Sequence, residues 1–128
     1  MIGIDTNVLL RLFEPEDDPE QTAAALRLVQ ERTPVFLNPI VLAEFAWTLR
    51  SIFKVDRAAI HARLAAIIAA PEFTVLLPQA THRAIEQYGK GTADFADYLI
   101  GELNVECRCE CTFTFDEAAM KSLTFRAP

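Results

Sequence analysis

The sequence predicts an α/β protein, a three-layer α/β/α sandwich whose central sheet is mostly parallel. Short apolar segments alternate with longer helical patterns along the whole chain, an order that is typical of parallel strands joined by helices. The chain has 128 residues, of which 52% are hydrophobic, and this is enough for one full core. We therefore expect a single domain over residues 1–128.

The first half of the chain contains two predicted strands and four predicted helices. The strands are MIGI, which ends at Asp5, and PVFLNP, which lies between prolines. The helices are TNVLLRLF, PEQTAAALRLVQER, IVLAEFAWTLRSIF and DRAAIHARLAAIIA. The second helix is amphipathic and has Pro19 near its start. The last two are joined by a tight turn at Lys54–Asp56, where Asp56 is a suitable N-cap.

The second half repeats the alternation. The strands are FTVLLP and a fourth strand around CECTFTF. The helices are QATHRAIEQYGK, closed by Gly89 or Gly91, then DFADYLIGEL, and a last turn or two in DEAAMKSL.

Composition excludes several classes of protein. The net charge of −6 argues against nonspecific coating of nucleic acid, although many acids fall in one run, EPEDDPE, at residues 14–20. No basic leader precedes an apolar stretch, and no apolar run has the length of a membrane span. Three cysteines, an odd number, give no disulfide framework, so we expect a reducing, cytoplasmic location.

The cysteines Cys107, Cys109 and Cys111 alternate along the predicted fourth strand. Alternate residues of a strand point to one face, but they lie roughly 6.6 Å apart. Zinc–sulfur bonds of about 2.3 Å cannot easily close three in-line cysteines on one ion. We therefore expect buried small side chains rather than a zinc site.

Five acids occupy positions that suggest a common site. Asp5 and Asp116 follow the first and fourth strands, and the carboxyl ends of parallel strands meet at the edge where ligands bind. Asp94 and Asp97 share a face at the start of one helix, and Glu44 lies inside another, nearly apolar helix. An unpaired carboxylate would be costly there if it were buried.

Each acid also has a purely structural interpretation. Asp5 and Asp116 could be N-caps, and Asp94 with Asp97 could form a capping box. Glu44 could pair with an arginine. Capping does not account for Glu44, however, whereas a divalent cation accounts for the whole set. Magnesium takes oxygen ligands and keeps several waters, and such a site can activate water to cleave a phosphodiester. The sequence therefore favours a nuclease site.

Four landmarks resemble the PIN domain family, and more narrowly the VapC-type toxins of bacterial toxin–antitoxin modules. They are IDTNVLLR, the isolated Glu44, DFADYLI, and TFD near the end, in that order over the whole chain. The resemblance implies a PIN-like parallel-sheet sandwich and a site that binds Mg²⁺, or Mn²⁺, and cleaves RNA. By position, the implied catalytic and metal-binding acids are Asp5, Glu44, Asp97 and Asp116.

The resemblance also implies supporting residues and partners. Asp94 matches an additional acid, and Asn7 and Thr114 match positions that orient a ligand or water. An antitoxin would dock near the helices at residues 40–53 and 57–69. A small core has limited capacity to absorb both apolar helices completely, so part of their surface could dock this partner; the alternative is that the two helices only cover the sheet. A homodimer could join two RNA-binding surfaces. We therefore expect a Mg²⁺-dependent endoribonuclease toxin.

Two other functions compete with this interpretation. An aspartate-nucleophile phosphatase would need a second acid two residues after Asp5, and Asn7 stands there. A catalytically weak PIN-like module that binds RNA or protein would be favoured by loss of one acid, and all four are present.

Overall fold

A parallel sheet of three short strands lies at the centre of the fold, and six α-helices surround it. The computed structural model describes residues 1–128. The strands are β1 (Ile2–Gly3), β2 (Val35–Leu37) and β3 (Phe73–Val75), in the order β1-β2-β3. Ile2 is in register with Val35, which in turn pairs with Phe73. The predicted α/β class with a parallel sheet is confirmed.

The helices follow the predicted segments closely. They are α1 (Thr6–Phe13), α2 (Pro19–Arg32), α3 (Pro39–Ser51), α4 (Arg57–Ala69), α5 (Pro78–Lys90) and α6 (Phe95–Glu106). The predicted last helical turn is a short 3₁₀ segment, Ala119–Lys121. Asp56 caps α4, because its side chain accepts a hydrogen bond from the Ala59 backbone at 2.8 Å. Gly91, rather than Gly89, ends α5.

One face of α3 supplies much of the core. Leu42, Phe45 and Leu49 are buried against the strands and against neighbouring helices, and Val35 of the central strand is fully buried beside them. The ring of Phe45 meets that of Phe13 edge to face, with centroids 5.4 Å apart, an arrangement that aromatic pairs prefer. The opposite face of α3 is exposed.

The fourth strand differs from its prediction. β4 (Thr112–Phe113) does not join the main sheet; it pairs in parallel with β5 (Phe125–Arg126), a strand that the sequence analysis missed. Both strands have only two residues, which is too short for an alternation of apolar residues to be visible. Asp116 therefore does not follow a strand of the same sheet as Asp5.

The cysteine-rich segment is a helix end rather than a strand. The Arg108 and Cys109 amides donate hydrogen bonds to Val105 and Asn104, and Arg108 has a positive φ of 64°. This is the Schellman arrangement that ends many helices. Two of the cysteines are exposed and the third, Cys111, is half-buried. The prediction of buried cysteines on one strand face was therefore wrong.

Arg57 fixes the position at which α6 begins. Its guanidinium donates to the Tyr88 carbonyl at 3.1 and 2.9 Å and to the Ala93 carbonyl at 2.6 Å. It also lies over the Tyr88 ring, 4.0 Å from the centroid. One side chain thus joins α4, the end of α5 and the residue two places before α6.

We expect Arg57→Ala to lower the free energy of unfolding by about 2–4 kcal/mol, because hydrogen bonds from a charged group and a cation–π contact are lost together. Urea unfolding measures this loss. Arg27→Ala, on the exposed surface of α2, is the matched control and should change stability by no more than about 0.5 kcal/mol. Equal effects of the two substitutions would contradict the role of Arg57.

Candidate active site

Three of the predicted acids lie close together around Asp97. Asp97 is the third residue of α6 and is half-buried. Burial raises the pKa of its carboxyl, and the negative charges of Asp116 and Asp94 raise it further. A hydrogen bond from the Asp94 backbone lowers this pKa only in part. Burial and like charges therefore outweigh the local hydrogen bond at this carboxylate.

The side chains of Asp94 and Asp116 have different partners. Asp94 stands at the N-cap position of α6, but its side chain makes no capping bond and instead lies 3.5 Å from the Arg50 guanidinium. Asp116 accepts a hydrogen bond from the Ala119 backbone at 2.8 Å. Its own amide donates to the Thr114 hydroxyl at 3.0 Å. Thr114 therefore orients Asp116.

Asp5 and Glu44 have surroundings that differ from those of the three clustered acids. The Asp5 carboxylate caps α1 by accepting from the Val8 amide at 3.0 Å. Glu44 is exposed on α3, so the expected cost of burying it does not arise. Neither charge is among those that raise the pKa of Asp97. Asn7 lies beside Asp5 in a cleft of about 310 Å³ between α1 and α2.

Asp97 and Asp116 form a pair of carboxylates with the chemistry of a hard-cation site. No group of three His, Cys, Asp or Glu side chains has the arrangement of a complete metal site. Magnesium, however, is often held by one or two carboxylates together with waters. Of the three clustered acids, only Asp94 has a salt bridge, and that one is long. The carboxylates of Asp97 and Asp116 are therefore left without a basic side chain to offset their repulsion.

Glu102 shows how a structural acid differs from this pair. Its side chain is buried, with 6% of the residue exposed. It accepts from the Arg83 guanidinium at 2.7 Å and from the Gln87 amide. Buried charges are tolerated when they are paired in this way. Asp97 has no such basic partner, which separates its role from that of Glu102.

A cleft between α3 and α6 adjoins the acids. It has a volume of about 290 Å³ and is lined on one side by Trp47 and Arg50 and on the other by Asp94 and Phe95. Neither Trp47 nor Arg50 was among the residues that the sequence predicted for the site. The spacing of Glu44, Trp47 and Arg50 at steps of three along one helix was the available signal.

The fold and the site together define an α/β protein with clustered carboxylates at the start of a helix beside a parallel sheet. The chain matches the PIN domain family over residues 2–123, and it belongs to that family. PIN domains are generally nucleases, which supports a hydrolase. No curated protein matches the chain. None of its helices combines the length and apolar character needed to cross a membrane.

The raised pKa of Asp97 predicts how stability depends on pH. A carboxyl that binds its proton more tightly in the folded state destabilises the fold when ionised. The penalty is absent below the ordinary carboxyl pKa, grows as pH rises, and is complete above the raised pKa of Asp97. We therefore expect Asp97→Asn to raise the Tm by a few degrees at pH 7.5 in EDTA, and to leave it unchanged near pH 3.

Thermal unfolding followed by circular dichroism measures this difference. Glu16→Gln, in the exposed loop before α2, removes the same charge away from the cluster and should have little effect at either pH. A lower Tm for Asp97→Asn at pH 7.5 would show that its negative charge stabilises the metal-free fold.

Proposed function

We propose that this chain is a metal-dependent endoribonuclease and the toxin of a toxin–antitoxin module. Membership of the PIN domain family supports a nuclease. The observation that carries the proposal is the clustering of Asp97 with Asp116 and Asp94, since their charges raise the pKa of Asp97 and no basic side chain neutralises Asp97 or Asp116. Such a cluster is suited to a cation and to the phosphate that the cation would bind.

The proposed roles follow from position. Asp97 and Asp116 would hold Mg²⁺ or Mn²⁺, with Asp5 and Glu44 completing the acidic set and Asp94 supporting it. When bound, the ion neutralises charge on the phosphate and lowers the pKa of a water. The exposed side chains of Asp5 and Glu44 make no ion pair that would hold them away. Thr114 keeps Asp116 oriented, and Asn7 contributes a polar side chain beside Asp5.

The exposed face of α3 supports the antitoxin as a partner. Ile40, Glu44 and Trp47 lie on one side of the helix at steps of four and three, and all three are exposed. A protein docked near the helices at residues 40–53 and 57–69 would cover Glu44 and so block the site. We also propose a homodimer, for which the fully exposed Leu123 and the 87% exposed Phe115 offer apolar surface.

A second candidate function remains, a catalytically weak PIN-like module that binds RNA or protein. The observation that favours it is the lack of any three acids in metal-binding arrangement. The two functions differ in one respect that is easily measured. A nuclease site gains stability from a divalent cation, and a degenerate one does not.

We expect an excess of Mn²⁺ to raise the Tm of the wild-type protein. At a free concentration of 100 times the dissociation constant, binding to the folded state alone adds about 2.7 kcal/mol. Differential scanning fluorimetry at pH 7.5 measures the shift, with EDTA as the reversal. The double variant Asp97→Asn, Asp116→Asn should show no shift. An equal shift in this variant would place the cation elsewhere.

We expect Asp5→Asn to reduce cleavage of RNA at least about 100-fold, since loss of a direct ligand should cost no less than loss of its supporting contacts. Asparagine is as good an N-cap as aspartate, so the bond to the Val8 amide and the fold should be retained. The assay uses end-labelled RNA with Mg²⁺ and an EDTA control, and products should carry 5′-phosphate and 3′-hydroxyl ends.

Asp18→Asn is the matched control for Asp5→Asn. Asp18 caps α2 by accepting from the Gln21 amide at 3.1 Å, so the same change of charge is made at the same kind of position outside the cluster. Full cleavage is expected for this variant. Undiminished cleavage by Asp5→Asn would remove Asp5 from the proposed site.

A further inference from the structure

Trp47 is a large aromatic side chain in solvent beside the proposed active site. It is the single tryptophan of the chain, and 59% of it is exposed. It lines the cleft of about 290 Å³ between α3 and α6, opposite Asp94. Most tryptophan side chains are largely buried. The exposed ring of Trp47 is therefore available to a ligand that would cover it.

The geometry of α3 places a carboxylate, an aromatic ring and a guanidinium in one row. Glu44, Trp47 and Arg50 are separated by steps of three residues, so each Cβ lies about 5–6 Å from the next. All three are exposed. The opposite face of the helix is held in the core by Phe45 and Leu49. The packing of the helix therefore fixes the side of α3 on which these three side chains lie. The row runs from Glu44, a proposed catalytic acid, to the cleft.

Arg50 is available to a ligand, unlike Arg57. The guanidinium of Arg57 is occupied by the Tyr88 and Ala93 carbonyls. Arg50 makes a long contact of 3.5 Å to Asp94, and both side chains are more than half exposed. Its guanidinium also lies close to the Tyr88 hydroxyl, where it partly offsets the rise in pKa that burial causes. Ion pairs exposed in this way are weak. A phosphate can therefore replace Asp94 as the partner of Arg50 at little cost.

We propose that Trp47 and Arg50 form a subsite for unpaired RNA, in which a base stacks on the indole and the guanidinium contacts a neighbouring phosphate. The inference rests on the proposed nuclease function and adds two residues outside the acidic set that would contact the substrate. Base–aromatic stacking contributes about 1–3 kcal/mol per base. Bases inside an A-form helix are stacked on each other and cannot reach the ring.

The charge of the chain favours a subsite of this kind. With a net charge of −6, the protein cannot rely on broad electrostatic attraction to RNA. Stacking adds affinity without adding positive charge.

Intrinsic fluorescence tests the proposal directly, because the emission of this protein comes from Trp47. The probe is a 12-nucleotide single-stranded RNA, titrated into the Asp5→Asn variant in EDTA, with the same sequence as a duplex for comparison. We expect saturable quenching by the single strand and little by the duplex. In cleavage assays with Mg²⁺, Trp47→Ala should raise KM about tenfold or more, and Trp47→Phe should restore most of the loss.

Two further variants sharpen the test. Arg50→Gln should weaken the binding of single-stranded RNA. The slope of log K against log salt should become shallower by about 0.7, the change expected for one lost phosphate contact on a single strand. Ile52→Ala is the matched control, since Ile52 is 63% exposed on the same segment of chain but points away from the row. It should leave KM unchanged.

The outcomes separate this inference from the proposed function. Unchanged emission at saturating RNA, or an unchanged KM for Trp47→Ala, would overturn the subsite while cleavage by the wild-type protein still supports the nuclease. Quenching by single-stranded RNA without any Mg²⁺-dependent cleavage would support the subsite and overturn the nuclease.

Discussion

Repulsion among carboxylates at the start of α6 is the constraint on which the proposed function depends. Asp97 is half-buried, and the charges of Asp116 and Asp94 disfavour its ionisation. The chain neutralises other acids that it encloses; Glu102 has both Arg83 and Gln87 as partners. No Lys or Arg side chain pairs with Asp97 or Asp116, and the resulting repulsion lowers the stability of the fold. A site that must accept a metal ion and a phosphate has a reason to bear that cost.

Hydrogen bonds to and from the backbone hold the residues around this cluster in place. Arg57 ties the start of α6 to α4 and α5 through two carbonyl groups, and the Ala119 amide holds Asp116. None of these bonds supplies a positive charge to Asp97. Asp97 and Asp116 are therefore held in position without a basic partner, which preserves the electrostatic field that would be available to a cation.

The sequence predicted the parts of the fold that local patterns determine. Helix periodicity and capping located α3 and α4 and identified Asp56 as an N-cap. The pattern failed at the cysteines, where alternation over a few residues imitated a strand although Arg108 adopts a positive φ and ends a helix. It also could not reveal β5, whose pairing with β4 is a contact distant from local sequence. Asp116 was expected beside Asp5 at the edge of a shared sheet, but the structure does not contain that sheet because β4 pairs only with β5.

Net charge is a poor guide to this site because the acids are unevenly distributed and unevenly paired. In the acidic run at residues 14–20, Glu14 pairs with Arg63 and Asp17 with Arg11, so part of that charge is already compensated. The acids around Asp97 would be compensated only when a divalent cation binds. The cation would also compensate part of the negative charge of Asp94. Arg50 could then exchange Asp94 for a phosphate as its partner. Under the proposed function, a negative net charge is compatible with cleavage of RNA, because a bound cation would remove part of the repulsion between the acids and the scissile phosphate.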